Sequence, residues 1–134
     1  MTLQSIELAD AAEFEPALRT DPAAPIGGVV TTDHPLYAHN DTALAGIAIS
    51  QRLPWVGAVE DAAGGALLAY GADFSAVPRR AAVFVDKILR GANAGDIPME
   101  QVSTFRTIVN LRSADALGLS FPPTLLAAAD EVIE

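Results

Sequence analysis

A chain of 134 residues, 51% of them hydrophobic, is long enough for one domain with a real core and too apolar to be disordered. Its net charge of −9, with only eight Lys and Arg, argues against nucleic acid or an anionic membrane surface as partner. The absence of cysteine excludes disulfides, thiolate catalysis and Cys-type metal sites.

The first residues, MTLQSIELADAAEFE, have neither a basic n-region nor a long apolar h-region, so no signal peptide is expected there. The longest apolar run, near Ala62 to Ala72, is roughly half the ~20 residues a membrane helix needs, so no membrane insertion is expected. Leu3 to Leu8 reads as a short first strand. Asp10 and Glu13 form a capping pair for a helix carrying Phe14, Ala17 and Leu18, which Asp21, Pro22 and Pro25 end. Ile26 to Thr32, IGGVVTT, has the β-branched character of a buried parallel strand and runs into a polar loop, Thr32 to Pro35. Asn40 or Asp41 caps a helix with Leu44, Ile47 and Ala48 on one face, closed at Leu53-Pro54. Pro54 to Val59 is the third strand, Glu60 to Gly65 a loop, and Ala66 to Ala69 the fourth strand.

The stretch Leu67 to Gly91 organises the rest. Tyr70 to Asp73 reads as a turn. Phe74, Val77, Ala81, Phe84, Val85 and Ile88 then recur at helical spacing, with Ser75 as cap, Pro78 in the first turn and Gly91 just past the end. Beyond it, Gly95 to Pro98 is a turn, Phe105 to Leu111 a strand, Ala114 to Leu117 a short helix capped by Ser113, and Thr124 to Val132 a last helix opened by Pro122-Pro123. The order predicts an α/β fold: a mostly parallel open sheet with helices on both faces, plus a C-terminal strand and short helices. Residues 1–96 form the α/β lobe, and 97–134 a tail of the same domain. The strand-end loops fall on one edge, where open α/β sheets bind ligands.

Several segments carry a family resemblance. They are Tyr70-Gly71-Ala72-Asp73, Arg79-Arg80-Ala81-Ala82, Val85 to Ala92, Ile97-Pro98-Met99-Glu100-Gln101, Ile108-Val109-Asn110-Leu111, Ala116-Leu117-Gly118-Leu119, Pro122 to Leu126 and Ala129 to Ile133. Together they resemble the C-terminal part of ABC-transporter substrate-binding proteins of the tryptophan/tyrosine-uptake type. The resemblance implies one lobe of a periplasmic-binding-protein-like fold, truncated to the second lobe and its tail. It also implies a periplasmic location, an ABC permease as partner and no enzymatic activity. With no signal peptide expected in this stretch, a cytoplasmic location is the expectation if the chain is expressed as written.

The resemblance puts the site at strand ends: Thr32 and Asp33, Glu60, and Tyr70 to Asp73. An amino-acid-like or aromatic solute needs an anion for its ammonium group, from Asp33 or Glu60. It needs N–H donors for its carboxylate, from the helix starts near Asp41 and Ser75. Tyr70 can stack on its body. Each residue has a plainer alternative. Asp33 shapes a turn before Pro35, Glu60 is a solvated carboxylate, Asp73 is a helix cap, and Tyr70 is a packed aromatic with a wet hydroxyl. His34 and His39 match no metal spacing, Gly27-Gly28 and Gly64-Gly65 lack a phosphate-loop context, and no cofactor or metal is expected.

Two readings follow. The first is a solute-binding lobe giving one wall of a cleft. The second is a self-associating domain, a homodimer that buries the surface a second lobe would cover. A flavodoxin-like enzyme or receiver-like domain is weaker, because Lys87, the only lysine, falls late in a helix.

Overall fold

The computed structural model describes residues 2–19, 25–101 and 103–134. Five strands form one sheet in sequence order: β1 (Val29–Val30), β2 (Trp55–Gly57), β3 (Leu68–Ala72), β4 (Phe105–Asn110) and β5 (Glu131–Ile133). β1, β2 and β3 run parallel, β4 is antiparallel to β3, and β5 is parallel to β4. The mostly parallel open α/β sheet predicted from the order of elements is therefore present, with one antiparallel step.

The helices are α1 (Phe14–Leu18), α2 (Pro35–Ala38), α3 (Asp41–Ser50), α4 (Val77–Leu89), α5 (Leu111–Leu117) and α6 (Pro123–Ala128). Asp10 accepts from the Ala12 N–H at 2.8 Å and Glu13 from the Ala9 N–H at 2.6 Å, so the expected capping pair starts the first helical turn. Asp21 and Pro22, expected to end α1, lie outside the described residues. α2 was not foreseen: His34 Nδ1 accepts from the Leu36 N–H, and Pro35 opens the turn. α3 ends at Ser50, before Leu53-Pro54. Arg52 turns the chain in the left-handed region, φ 56°, and the Leu53 N–H returns to the Ala48 carbonyl.

The principal core gathers Phe14, Leu18, Leu44, Ala45, Ala48, Leu53, Trp55 and Ala66 where α1 and α3 meet β2. A second cluster, Ala62, Ala69 and Ile108, lies under β3 and β4. Asn110 and Ser113 tie the tail to the β2–β3 connection. Asn110 Nδ2 donates to the Ala62 carbonyl, the Ser113 N–H to Asn110 Oδ1, and Ser113 Oγ to the Gly65 carbonyl. Asn110, not Ser113, therefore caps α5.

Several expectations are corrected. Leu3 to Leu8 is not a strand: nearly all of it is exposed, and only Leu8 packs on the core. Ile26 to Thr32 contributes only a two-residue edge strand, with Val30 72% exposed, because nothing among the described residues pairs beyond it. Tyr70, Gly71 and Ala72 belong to β3, held by pairing with Thr107, Arg106 and Phe105. Asp73 rather than Ser75 opens the following helix, accepting from the Ser75 N–H at 2.9 Å. The last helix stops at Ala128, and Glu131–Ile133 pairs with β4 as a strand.

α4 is amphipathic as its spacing predicts, but it buries none of its residues. Val77, Val85, Ile88 and Leu89 are all exposed. The cations of Arg80 and Lys87 lie over the Phe84 ring, at 5.6 and 5.8 Å from its centroid. Arg80 pairs with Glu100, the link from α4 to the returning chain. The stability of this chain accordingly owes little to the apolar face of α4. Val85→Glu and Leu89→Glu should each leave it within about 0.5 kcal/mol of the parent. A thermal melt checks this, and a drop of many degrees would mean that the face is covered in the protein itself.

Candidate functional site

Parallel pairing carries β1, β2 and β3 to a common carboxyl edge. There a concavity of about 150 Å³ opens, lined by Thr31, Asp33, Ala58, Val59, Glu60, Tyr70, Gly71, Ala72 and Phe74. Three expected residues, Asp33, Glu60 and Tyr70, come together in it. Thr32 does not line it; its neighbour Thr31 does. Asp73 also stands outside, as a cap. The Ser75 hydroxyl and N–H hold its carboxyl below the usual range.

Each wall has a structural cause. The Thr31 N–H bonds to the Val56 carbonyl at 3.0 Å, and its hydroxyl accepts from Trp55 Nε1 at 3.0 Å, so the buried indole fixes the end of β1. Tyr70 is 57% exposed and stacks on Phe105 of β4, ring centroids 5.9 Å apart and planes at 15°. The two rings are diagonal cross-strand neighbours. That contact leaves the Tyr70 ring held in place yet open to solvent. Phe74, 46% exposed, adds a second aromatic group.

The segment Ala58 to Glu60 is positioned from behind by Asp61, which the sequence reading passed over as part of a loop. Asp61 is 1% exposed, lies in a short 3₁₀ turn (Val59–Ala62), and accepts from the Ala58 N–H through Oδ2 at 2.9 Å. Its Oδ1 has no hydrogen-bond partner among the described residues. Burial pushes its carboxyl above the ordinary aspartate range, against the pull of the Ala58 bond, and Asp41, Glu60 and Asp33 add repulsion. For an acid raised in the fold, the native state holds its proton longer than the unfolded chain. Stability therefore falls as pH rises from the unfolded aspartate value, about 4, through the raised one. Asp61→Asn should remove this loss: denaturant titrations should show the variant gaining on the parent as pH climbs from about 4. Parallel pH profiles for the two proteins would refute the assignment.

A second, larger groove of about 540 Å³ runs between α4 and the returning chain, lined among others by Val77, Phe84, Glu100 and Thr104. It lies beneath the uncovered face of α4 and reaches Asp73, just past the end of β3. Among the described residues no group of His, Cys, Asp or Glu is arranged to hold a metal ion, and no helix is long and apolar enough to cross a membrane.

The parallel strands, their common carboxyl edge and the helices around them make this a periplasmic-binding-protein-like α/β fold. The chain belongs to the ABC transporter substrate binding protein family, whose model matches residues 1–133. Similar solved structures agree on the fold. The ABC domain in complex with L-Trp from Streptococcus pneumonia is 19% identical, with a TM-score of 0.77 over 92% of this chain and 43% of that one. A conserved domain protein from Vibrio cholerae is 20% identical, with a TM-score of 0.75 over 90% and 38%. A substrate binding protein with adhesive properties from Clostridium difficile, in its ligand-free, open form, is 22% identical, with a TM-score of 0.56 over 79% and 36%. The chain thus spans about two fifths of the length of these structures. No curated protein matches the sequence.

Proposed function

We propose that this chain supplies one wall of a cleft that captures a small amino-acid-like or aromatic solute for an ABC permease outside the cytoplasm. Its role is binding, without covalent chemistry. The observation that carries this reading is the convergence of Asp33, Glu60 and the held, solvent-facing Tyr70 ring at the carboxyl ends of parallel strands. The concavity, at about 150 Å³, is smaller than the about 300–1,000 Å³ of a complete small-molecule site, as suits half of a two-walled cleft. The L-Trp complex of the similar pneumococcal domain supports the solute class. On this reading a second α/β lobe of the same family covers the apolar face of α4. Residues 97–134 act as the tail that joins the two.

Thermal-shift and calorimetric titration of the chain against amino acids and aromatic acids tests the proposal. At least one compound should bind, and Tyr70→Ala should weaken it about fivefold to tenfold. Silence across the panel, or indifference to Tyr70→Ala, would refute capture at this wall.

The exposed apolar face of α4 favours a second reading, self-association into a homodimer. Light scattering over a concentration series separates the two. A dimer lost on Leu89→Glu supports it, and a monomer at every concentration contradicts it.

A further inference from the structure

We propose that this wall selects an organic cation, an ammonium-type head on an aromatic or apolar body, over a zwitterion or an acid. The inference rests on the solute-binding reading above and deepens it.

Among the described residues, the only charged side chains lining the concavity are Asp33 and Glu60. Both are exposed, and among the described residues neither has an ion-pair partner. The nearby cation Arg106 is already bound to Glu131 at 2.6 Å. One backbone N–H at each of two nearby helix starts is taken by a carboxylate of the chain itself. At the start of α3, the Thr42 N–H bonds to Asp41 Oδ1 at 2.5 Å. Ahead of α4, the Ser75 N–H bonds to Asp73 Oδ1 at 2.9 Å. Behind the wall, burial raises the Asp61 carboxyl, and repulsion from Asp41, Glu60 and Asp33 adds to it. Tyr70 and Phe74 add ring faces, which attract a cation and also pack against an apolar body. A zwitterion brings its own carboxylate into this field and loses part of what its ammonium gains.

A matched series tests the charge rule: tryptamine, L-tryptophan and indole-3-acetate share a ring and differ in charge. Each is titrated into the isotope-labelled chain, and amide shifts at residues 31–33, 58–60 and 70–72 are followed by NMR. Tryptamine should bind about tenfold more tightly than L-tryptophan, with indole-3-acetate weakest. Asp33→Asn with Glu60→Gln should erase that preference. In the parent protein, raising the salt concentration should weaken tryptamine selectively, a check that needs no variant. Equal or tighter binding of L-tryptophan at those amides overturns the cation rule and leaves the site standing. No shift there with any of the three overturns the rule and the site together.

Discussion

Trp55→Ala is expected to cost about 3–5 kcal/mol of folding stability, the range for emptying a large buried aromatic position. Trp55 is 1% exposed, sits on the central parallel strand β2, and joins the principal core with Phe14, Leu44 and Leu53. Its loss opens a cavity where α1, α3 and the sheet meet. It also takes the donor from Thr31 Oγ1, so the end of β1 loses its fixed position beside Asp33. Against a domain's usual total of about 5–15 kcal/mol, that is a large share, and the denaturation midpoint should fall steeply. Denaturant unfolding measures it. A loss below about 1 kcal/mol would mean that the site collapses easily and that the indole is not the keystone described here.

Gly57→Ala should be the second costly change, at about 2–4 kcal/mol, from overpacking together with a buried N–H deprived of its acceptor. A Cβ at Gly57 would stand 2.4 Å from Asp61 Oδ2 and 2.8 Å from Asp61 Cβ. Asp61 is buried and bonded to the Ala58 N–H, so it cannot swing clear without releasing the wall segment. The same substitution in an Asp61→Gly background should cost markedly less, because the groups it meets are gone. A double-mutant cycle with no coupling between the two positions would contradict the close approach. Ligand binding should fall with stability in the single variant, since Ala58 to Glu60 line the concavity.

How much of this the sequence carried differs from element to element. α3 and β2 announced themselves through local signals: a helical apolar face, Asn40 and Asp41 before it, a proline after it, and the short run PWVGAV that follows. α4 was legible as an amphipathic helix, but periodicity records only that a face is built for burial. It does not say what covers the face, and in this chain nothing among the described residues does. Tyr70 to Ala72 read as a turn because Gly71 and Asp73 are turn-forming residues. Pairing with a strand some 35 residues further on overrides that preference, and local reasoning cannot see it. β5 was hidden by the Ala-rich run before it. Three residues hold as a strand only because β4 is alongside and the Asp130 N–H reaches the Thr107 carbonyl.

For the site, the strand-end rule sufficed to bring Asp33, Glu60 and Tyr70 to one rim. It missed by one residue at Thr31, where successive side chains of an extended segment face opposite ways. Asp61 was passed over for another reason. A carboxylate in a short loop that ends in two glycines reads as solvated, and only the packing of Gly57 against it reveals that it is buried.

A crystal structure of the ligand-loaded protein tests the central claim most directly. The account predicts the solute at the carboxyl ends of β1, β2 and β3, its head between Asp33 and Glu60 and its body against Tyr70. A solute seated instead in the groove under α4, beside Phe84 and Glu100, with the strand ends empty, would contradict it.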